Sequence, residues 1–357
     1  ERNAGPHKRN YRARKNTKTV GIRLSSLTGL KPEIGIDAAS SEFAARPEVY
    51  AQAFRFLRNF GFKITFHAGE DFYDLSDGLR AIDEAINFLK LDSADRIGHA
   101  LALGIDAGEY YRERHNVTAV PKQWMLDNVV WLYMKSREFG IMADTKTDWF
   151  LVDTYKRLIN EIGYRKTGEN MPDIADYWDS MLLRGDNPDN YIPNGTVRTN
   201  NFSDADSWEF YSLNDTERLK RIRDFNGEAR QLYVEYHCNP GIKSQGELVR
   251  AFELPPQYPQ FITGMQDAII RDICKRQICI ECCPSSNVRI GRLKRFDSHP
   301  IARFMPIDAA ATRYPLAVTV NTDDLGVFST SLPNEYSLLA LAMLKKTTAD
   351  GSHLYSR

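Results

Sequence analysis

The sequence predicts an α/β fold, a TIM-type (β/α) barrel interrupted by a large, mostly helical insertion, and three observations carry that prediction. Short β-prone runs alternate with amphipathic helical patterns from about residue 20 to 104, the form that βα repeats and a parallel sheet take in a sequence. The same alternation returns over 263–357. Polar clusters end three of the β-prone runs, Phe66-His67-Ala68-Gly69-Glu70, Arg96-Ile97-Gly98-His99 and Asn321-Thr322-Asp323-Asp324, and the ends of barrel strands are where such a fold presents its chemistry.

The elements follow in order. In the first barrel part, 1–104, the runs Val20-Gly21-Ile22-Arg23-Leu24 and Ile34-Gly35-Ile36-Asp37 read as strands. Pro47 suits the first turn of a helix that sets Val49, Ala53, Phe54 and Leu57 on one face and stops at Gly61. A strand from Lys63 to Phe66 comes next, and then Leu79, Ile82, Ile86 and Leu89 mark an amphipathic helix leading to the run that ends at His99. From 105 to 262 the pattern changes to aromatic-rich helices, among them Trp124 to Phe139 and Trp149 to Ile162, with a polar loop from Arg184 to Asp206. Such helices bury their Trp and Tyr side chains or serve subunit contact; the alternative role is a lid over the barrel mouth. In the second barrel part, 263–357, Ile269, Ile270 and Ile273 line a helix that feeds the strand Ile278-Cys279-Ile280-Glu281-Cys282. The strand from Leu316 to Asn321 follows, and Tyr336, Leu339 and Met343 mark a closing helix.

Composition narrows the classes of function. Lys+Arg and Asp+Glu both number 47, so no global field draws the chain to nucleic acid or to a membrane surface. The longest apolar runs fall short of the roughly 20 residues that a membrane helix requires, and the chain reads as cytoplasmic, with no membrane partner. Five cysteines, an odd number crowded toward the C-terminal half, suit a reducing compartment better than a disulfide scaffold. Cys279, Cys282 and Cys283 read as core thiols on a buried strand rather than a second metal site. The basic stretch Lys8, Arg9, Arg12, Arg14, Lys15 and Lys18 reads as a solvated connection; turned to the barrel mouth it could hold a phosphorylated substrate or RNA.

His67 and Glu70 are separated by a glycine-containing turn that lets both side chains face one pocket. Alone, His-x-x-Glu has little specificity. Its conjunction with His99 and with Asp323-Asp324, each at a strand end, points to a hydrolytic metal site. Adjacent aspartates leave a strand end in different directions, so one can bind a metal and the other a substrate; the alternative is an N-cap beside a turn residue.

Four motifs in order, Phe66-His67-Ala68-Gly69-Glu70, Arg96-Ile97-Gly98-His99-Ala100, Cys283-Pro284-Ser285-Ser286-Asn287 and Val320-Asn321-Thr322-Asp323-Asp324, resemble the adenosine deaminase family of the metal-dependent amidohydrolases. The resemblance covers roughly 20–104 and 265–345 and leaves the insertion outside it. It implies a barrel of the metal-dependent hydrolase kind that binds Zn2+, with His67 and Asp323 as metal ligands. It implies that Glu70 protonates N1 of the purine, that His99 orients or deprotonates the attacking water, and that Asp324 accepts at the purine N7 edge. Ser40 stands near a family glycine that contacts the purine, and Leu325 replaces the proline usual after the aspartate pair.

The family's metal site begins with His-x-His on its first strand, and none of the seven histidines here forms that pair. The chain is therefore expected to lack the first barrel strands; the alternative is a catalytically inactive relative acting as a binding or assembly module. The resemblance implies hydrolytic deamination of adenosine or an adenine nucleotide. The size of the insertion is similar to that of deaminases of prokaryotic antiviral systems, such as the deaminase subunit of the RADAR phage-defence system. That likeness implies a homo-oligomer working with a second defence-system subunit.

Overall fold

The computed structural model describes residues 35–39, 41–165, 171–191, 213–214, 216–291, 293–306 and 314–345. Val20 to Leu24, the basic stretch from Lys8 to Lys18, Ser40 and most of the 184–206 loop lie outside the described residues. The strands are β1 (Gly35–Ala38), β2 (Lys63–Ala68), β3 (Arg96–His99), β4 (Val117–Pro121), β5 (Val249–Glu253), β6 (Cys279–Cys282) and β7 (Ala317–Val320). Five of them make one parallel sheet in the order β1-β2-β3-β6-β7. Helices link successive strands: α1 (Pro47–Arg58) between β1 and β2, and α2 (Leu75–Phe88) between β2 and β3. This is the expected βα alternation, with β3 and β6 neighbours in space although more than 170 residues of sequence separate them.

The period of two along β2 sets its two faces. Ile64, Phe66 and Ala68 are buried, and Phe66 meets the rings of Tyr50 and Phe54 on α1 with centroids 5.7 and 5.9 Å apart. Thr65 and His67 therefore point to the other face of the sheet. In α1 the buried stripe is Pro47, Ala51, Phe54 and Arg55, whereas Val49 of the expected face is exposed. The helix is rotated from that expectation by tertiary contact: Phe54 meets Phe66 on β2, and Arg55 Nη1 donates to the carbonyl of Phe88 at the end of α2 at 3.2 Å. Leu79, Ile82, Ile86 and Leu89 are all buried, as their spacing predicts.

The stretch 105–262 is largely helical, with α3 (Ala107–Arg112), α4 (Lys122–Phe139), α5 (Thr145–Ile162), α6 (Ile174–Leu182), α7 (Glu217–Phe225), α8 (Gly227–Cys238) and α9 (Pro240–Gly246). It also contains β4 and β5, an antiparallel pair that the sequence reading did not foresee. Val117 lies opposite Glu253, so this pairing is non-local, and each strand is five residues long, β4 burying Thr118, Val120 and Pro121 and β5 only Phe252. α10 (Tyr258–Arg276) runs across the expected boundary at 262/263 and delivers the chain to β6.

Buried ion pairs and hydrogen bonds join α2 to the residue before α1 and to α4, and α4 to the end of α6. Arg46 reaches Asp77 at 3.0 Å and Glu84 at 2.7 Å, both on α2. Arg80 on α2 reaches Glu84 at 2.6 Å and Asn128 on α4 at 2.9 Å. Arg184, just after α6, grips both oxygens of Asp127 on α4 at 2.6 and 2.9 Å. Most insertion aromatics are buried, Trp131 and Trp178 among them, but Trp149 is exposed on α5. In the closing helix α14 (Leu332–Lys345), which follows α11 (Pro284–Arg289), α12 (Ile301–Phe304) and α13 (Leu325–Phe328), Leu339 is buried whereas Tyr336 is exposed. No helix among the described residues is long and apolar enough to cross a membrane.

Candidate active site

The polar residues singled out in the sequence gather beyond the C-terminal ends of β2, β3, β6 and β7, the usual place for a site on a parallel sheet. His67 is carried by β2 itself, and its register partner on β3 is Gly98. A Cβ at Gly98 would lie 2.3 Å from Cδ2 of His67, so the absence of a side chain there is what gives the imidazole its room. His67 Nε2 stands 3.5 Å from Oδ2 of Asp37 on β1. Burial raises the Asp37 carboxyl above its ordinary range, opposed by the adjacent His67.

His99 is the register partner of Ala68, whose side chain faces the helices, so strict alternation would point His99 away from His67. The backbone breaks that alternation: His99 has φ 63° and Ala100 φ 49°. This left-handed pair costs energy in residues with a Cβ and re-aims the imidazole. The two rings end nearly perpendicular, with centroids 4.7 Å apart. His99 Nε2 lies 3.3 Å from Glu70 Oε2 and 4.0 Å from Asp323 Oδ2. Burial, reinforced by His67, lowers the His99 pKa to about 4, so the ring is neutral at physiological pH.

Glu70 leaves the turn made by Gly69, whose φ is 80°. Its carboxyl accepts from Asn287 Nδ2 at 2.8 Å. Burial is the main cause that pushes Glu70 up to about 8, with the charges of Glu42, Asp71 and Asp323 adding to it and Asn287 opposing. A carboxyl that stays protonated near pH 7 can serve as a general acid. The turn is clamped by Glu42, whose buried carboxylate accepts from the backbone N–H groups of Gly69 at 2.7 Å, Glu70 at 2.9 Å and Asp71 at 3.3 Å.

Asp323 sits at φ 56° just past β7, and its Oδ1 accepts from the N–H of Asp324 at 2.9 Å. Asp324 is exposed and caps α13 by accepting from Gly326 N–H at 3.2 Å. The turn-and-cap reading of this pair is thus realised, while Asp323 Oδ2 still faces His99. Cys282 and Cys283 are buried, as core thiols would be, but Cys283 also borders the site. Ligand atoms of His99, Cys283 and Asp323 lie within 4.8 Å of one another, and this N, S, O set suits zinc. His67 does not enter that group, although its ring is adjacent to that of His99.

Three residues of the site had no role in the sequence reading. Asn287 is fully buried within α11, where Nδ2 meets Glu70 Oε1 and His99 Nδ1, each at 2.8 Å. His299 Nε2 faces Asn287 Oδ1 at 3.1 Å, and Glu42 clamps the Glu70 turn. Asn287 stood inside a quoted motif, which was the available signal; His299 and Glu42 act through folded loops and left none.

A family model described as Adenosine deaminase matches residues 262–348, the segment that carries β6, Asn287, β7 and Asp323. That segment of the chain is similar to the adenosine deaminase family. It is 29% identical to the adenine deaminase of Sinorhizobium fredii over 37% of this chain and 41% of that protein. It is 35% identical to the aminodeoxyfutalosine deaminase of Streptomyces coelicolor over 20% of this chain and 17% of that protein. To the adenosine deaminase of Plasmodium gallinaceum it is 38% identical over 20% of this chain and 18% of that protein. The chain thus matches well under half the length of each of these relatives.

Proposed function

We propose that this protein is a zinc-dependent aminohydrolase that converts adenosine or an adenine nucleotide to the inosine form. What carries the reading is one contact: Glu70, a partly buried carboxyl, stands 3.3 Å from the buried imidazole of His99, and both share Asn287. The match of 262–348 to the deaminase family model and the relatives named adenosine deaminase and adenine deaminase support an adenine compound as substrate.

In this reading Glu70 gives its proton to the purine ring nitrogen beside the amine-bearing carbon. Protonation there offsets the electron density pushed onto the ring as water adds to that carbon. His99 orients the incoming water, whose oxygen bonds to the ring carbon; of its two protons one replaces the proton Glu70 gave to the ring and the other passes to the amine, so that the C–N bond breaks and ammonia leaves. His67 and Asp323 would hold the zinc, and Cys283 presents a further donor beside Asp323. Zinc held there supplies the Lewis acidity that makes water a competent nucleophile at neutral pH. Asp324 uses one oxygen to cap α13, and its carboxyl would contact the purine N7 edge with the other. Ser40 would line the base pocket. The parallel sheet β1-β2-β3-β6-β7 would be an arc of a closed (β/α) barrel made by 1–104 and 263–357, with 105–262 inserted.

The test is ammonia release from adenosine, AMP, ATP and RNA by full-length protein of measured metal content. Zinc-dependent release that falls at least about 100-fold in Glu70→Gln is expected of a lost general acid; undiminished turnover in that variant would refute the assignment. The antiviral setting rests on the size of the insertion, and it predicts ring or shell assemblies joined by a second defence-system subunit. A monodisperse monomer in light scattering would count against it.

A further inference from the structure

We infer that His299 and Asn287 form a hydrogen-bond relay that holds His99 in the tautomer with its hydrogen on Nε2, so that His99 meets the site as a donor. The relay starts at a group whose direction is not in question, a backbone N–H. Ile301 N–H donates to His299 Nδ1 at 3.1 Å. That nitrogen must be unprotonated, because a hydrogen on it would face another donor. His299 in this state carries its hydrogen on Nε2, which lies 3.1 Å from Asn287 Oδ1 and donates to it.

This fixes which way the Asn287 amide points. With Oδ1 turned to His299, the two hydrogens of Nδ2 face Glu70 Oε1 and His99 Nδ1, each at 2.8 Å. One donor amide thus meets two acceptors, and His99 Nδ1 carries no hydrogen. The neutral His99 ring then bears its hydrogen on Nε2, the nitrogen 3.3 Å from Glu70 Oε2 and 4.0 Å from Asp323 Oδ2. All three relay residues, His99, Asn287 and His299, are buried at 3% exposure or less, so an unmatched donor or acceptor among them would be costly.

Two consequences follow for the site. His99 has no lone pair directed at a metal: Nδ1 is engaged by Asn287, and Nε2 is a donor. Of the three groups that cluster as possible ligands, His99 is therefore the one that serves the water instead, while Asp323 and Cys283 keep their lone pairs. Glu70 Oε1 is likewise engaged as an acceptor, which leaves Oε2 as the oxygen that carries the acid proton. Asn287 and His299 are positioning residues, and their catalytic meaning rests on the function proposed above although the tautomer itself does not.

The experiment is nitrogen NMR of the histidine side chains in full-length protein labelled with 15N-histidine, without substrate, the His99 signals being assigned by their loss in His99→Gln. The expected result is a single neutral tautomer with hydrogen on Nε2, kept when zinc is added. Asn287→Asp, whose carboxylate can only accept, should move the hydrogen to Nδ1. His299→Leu should give a mixture, because the Asn287 amide is then free to flip. Hydrogen on Nδ1 in the unsubstituted protein, its loss from Nε2 on adding zinc, or an unchanged tautomer in Asn287→Asp or His299→Leu would each overturn the relay. If His299→Leu does not fold, the unsubstituted protein and Asn287→Asp decide. Because no turnover is read, a protein that deaminates nothing can still carry the relay, and an active one can still lack it.

Discussion

At the scale of single residues, one buried carboxylate, Glu42, gathers three consecutive backbone N–H groups and so fixes the turn from which Glu70 projects. Burial pushes Glu42 up to about 7 against the pull of those N–H groups and of Arg46. Its folded pKa lies above the unfolded value near 4.5, so the fold gains stability from its proton. That gain is fully present below about pH 4.5 and is lost as the pH rises through about 7. Glu42→Gln, neutral at every pH, should flatten this part of the stability profile in melts recorded across that range; an unchanged slope would show that Glu42 titrates normally. The residues that gather at the candidate site were legible in the sequence where they sat at strand ends in recognisable company, as His67, Glu70, His99 and Asp323 did. Glu42, Asn287 and His299 were not assigned a role because each works by meeting a group from a different loop.

At the scale of elements, the parallel register of β2 and β3 brings Gly98 under the His67 ring. Adding a methyl there puts a Cβ 2.3 Å from Cδ2 and 3.0 Å from both Cγ and Nε2 of that ring. Gly98→Ala should cost about 1–3 kcal/mol in denaturant unfolding, as overpacking does. If His67 holds metal, the same variant should weaken zinc in a chelator competition; unaltered affinity would remove His67 from the ligand set. Helix and strand positions were largely readable from periodicity, as the buried line Leu79, Ile82, Ile86 and Leu89 illustrates. β4 and β5 were not, because their pairing joins residues more than 120 apart and neither run alternates over enough positions. The φ reversal at His99 was also invisible, since nothing in Gly98-His99-Ala100 announces a left-handed backbone.

For the molecule as a whole, the buried ionic network makes the helices of 122–191 part of the same body as α2. Arg184 is the clearest probe, because it pairs with Asp127 through two hydrogen bonds and is itself buried. Arg184→Met leaves Asp127 as an uncompensated buried charge apart from Arg80 at 3.8 Å. Its expected cost is about 3–5 kcal/mol in equilibrium unfolding, whereas a loss below about 1 kcal/mol, the range of exposed pairs, would mean that this pair does not hold the end of α6 to α4.

In the proposed function this fold brings an acid, an imidazole and a zinc site together to remove an amine from an adenine ring. Ammonia release by full-length, zinc-loaded protein, compared side by side with Glu70→Gln and with chelator-treated protein, tests it most directly. The account predicts release from at least one of adenosine, AMP, ATP and RNA, abolished by either treatment. No release from any of them, or release that survives Glu70→Gln, would contradict it.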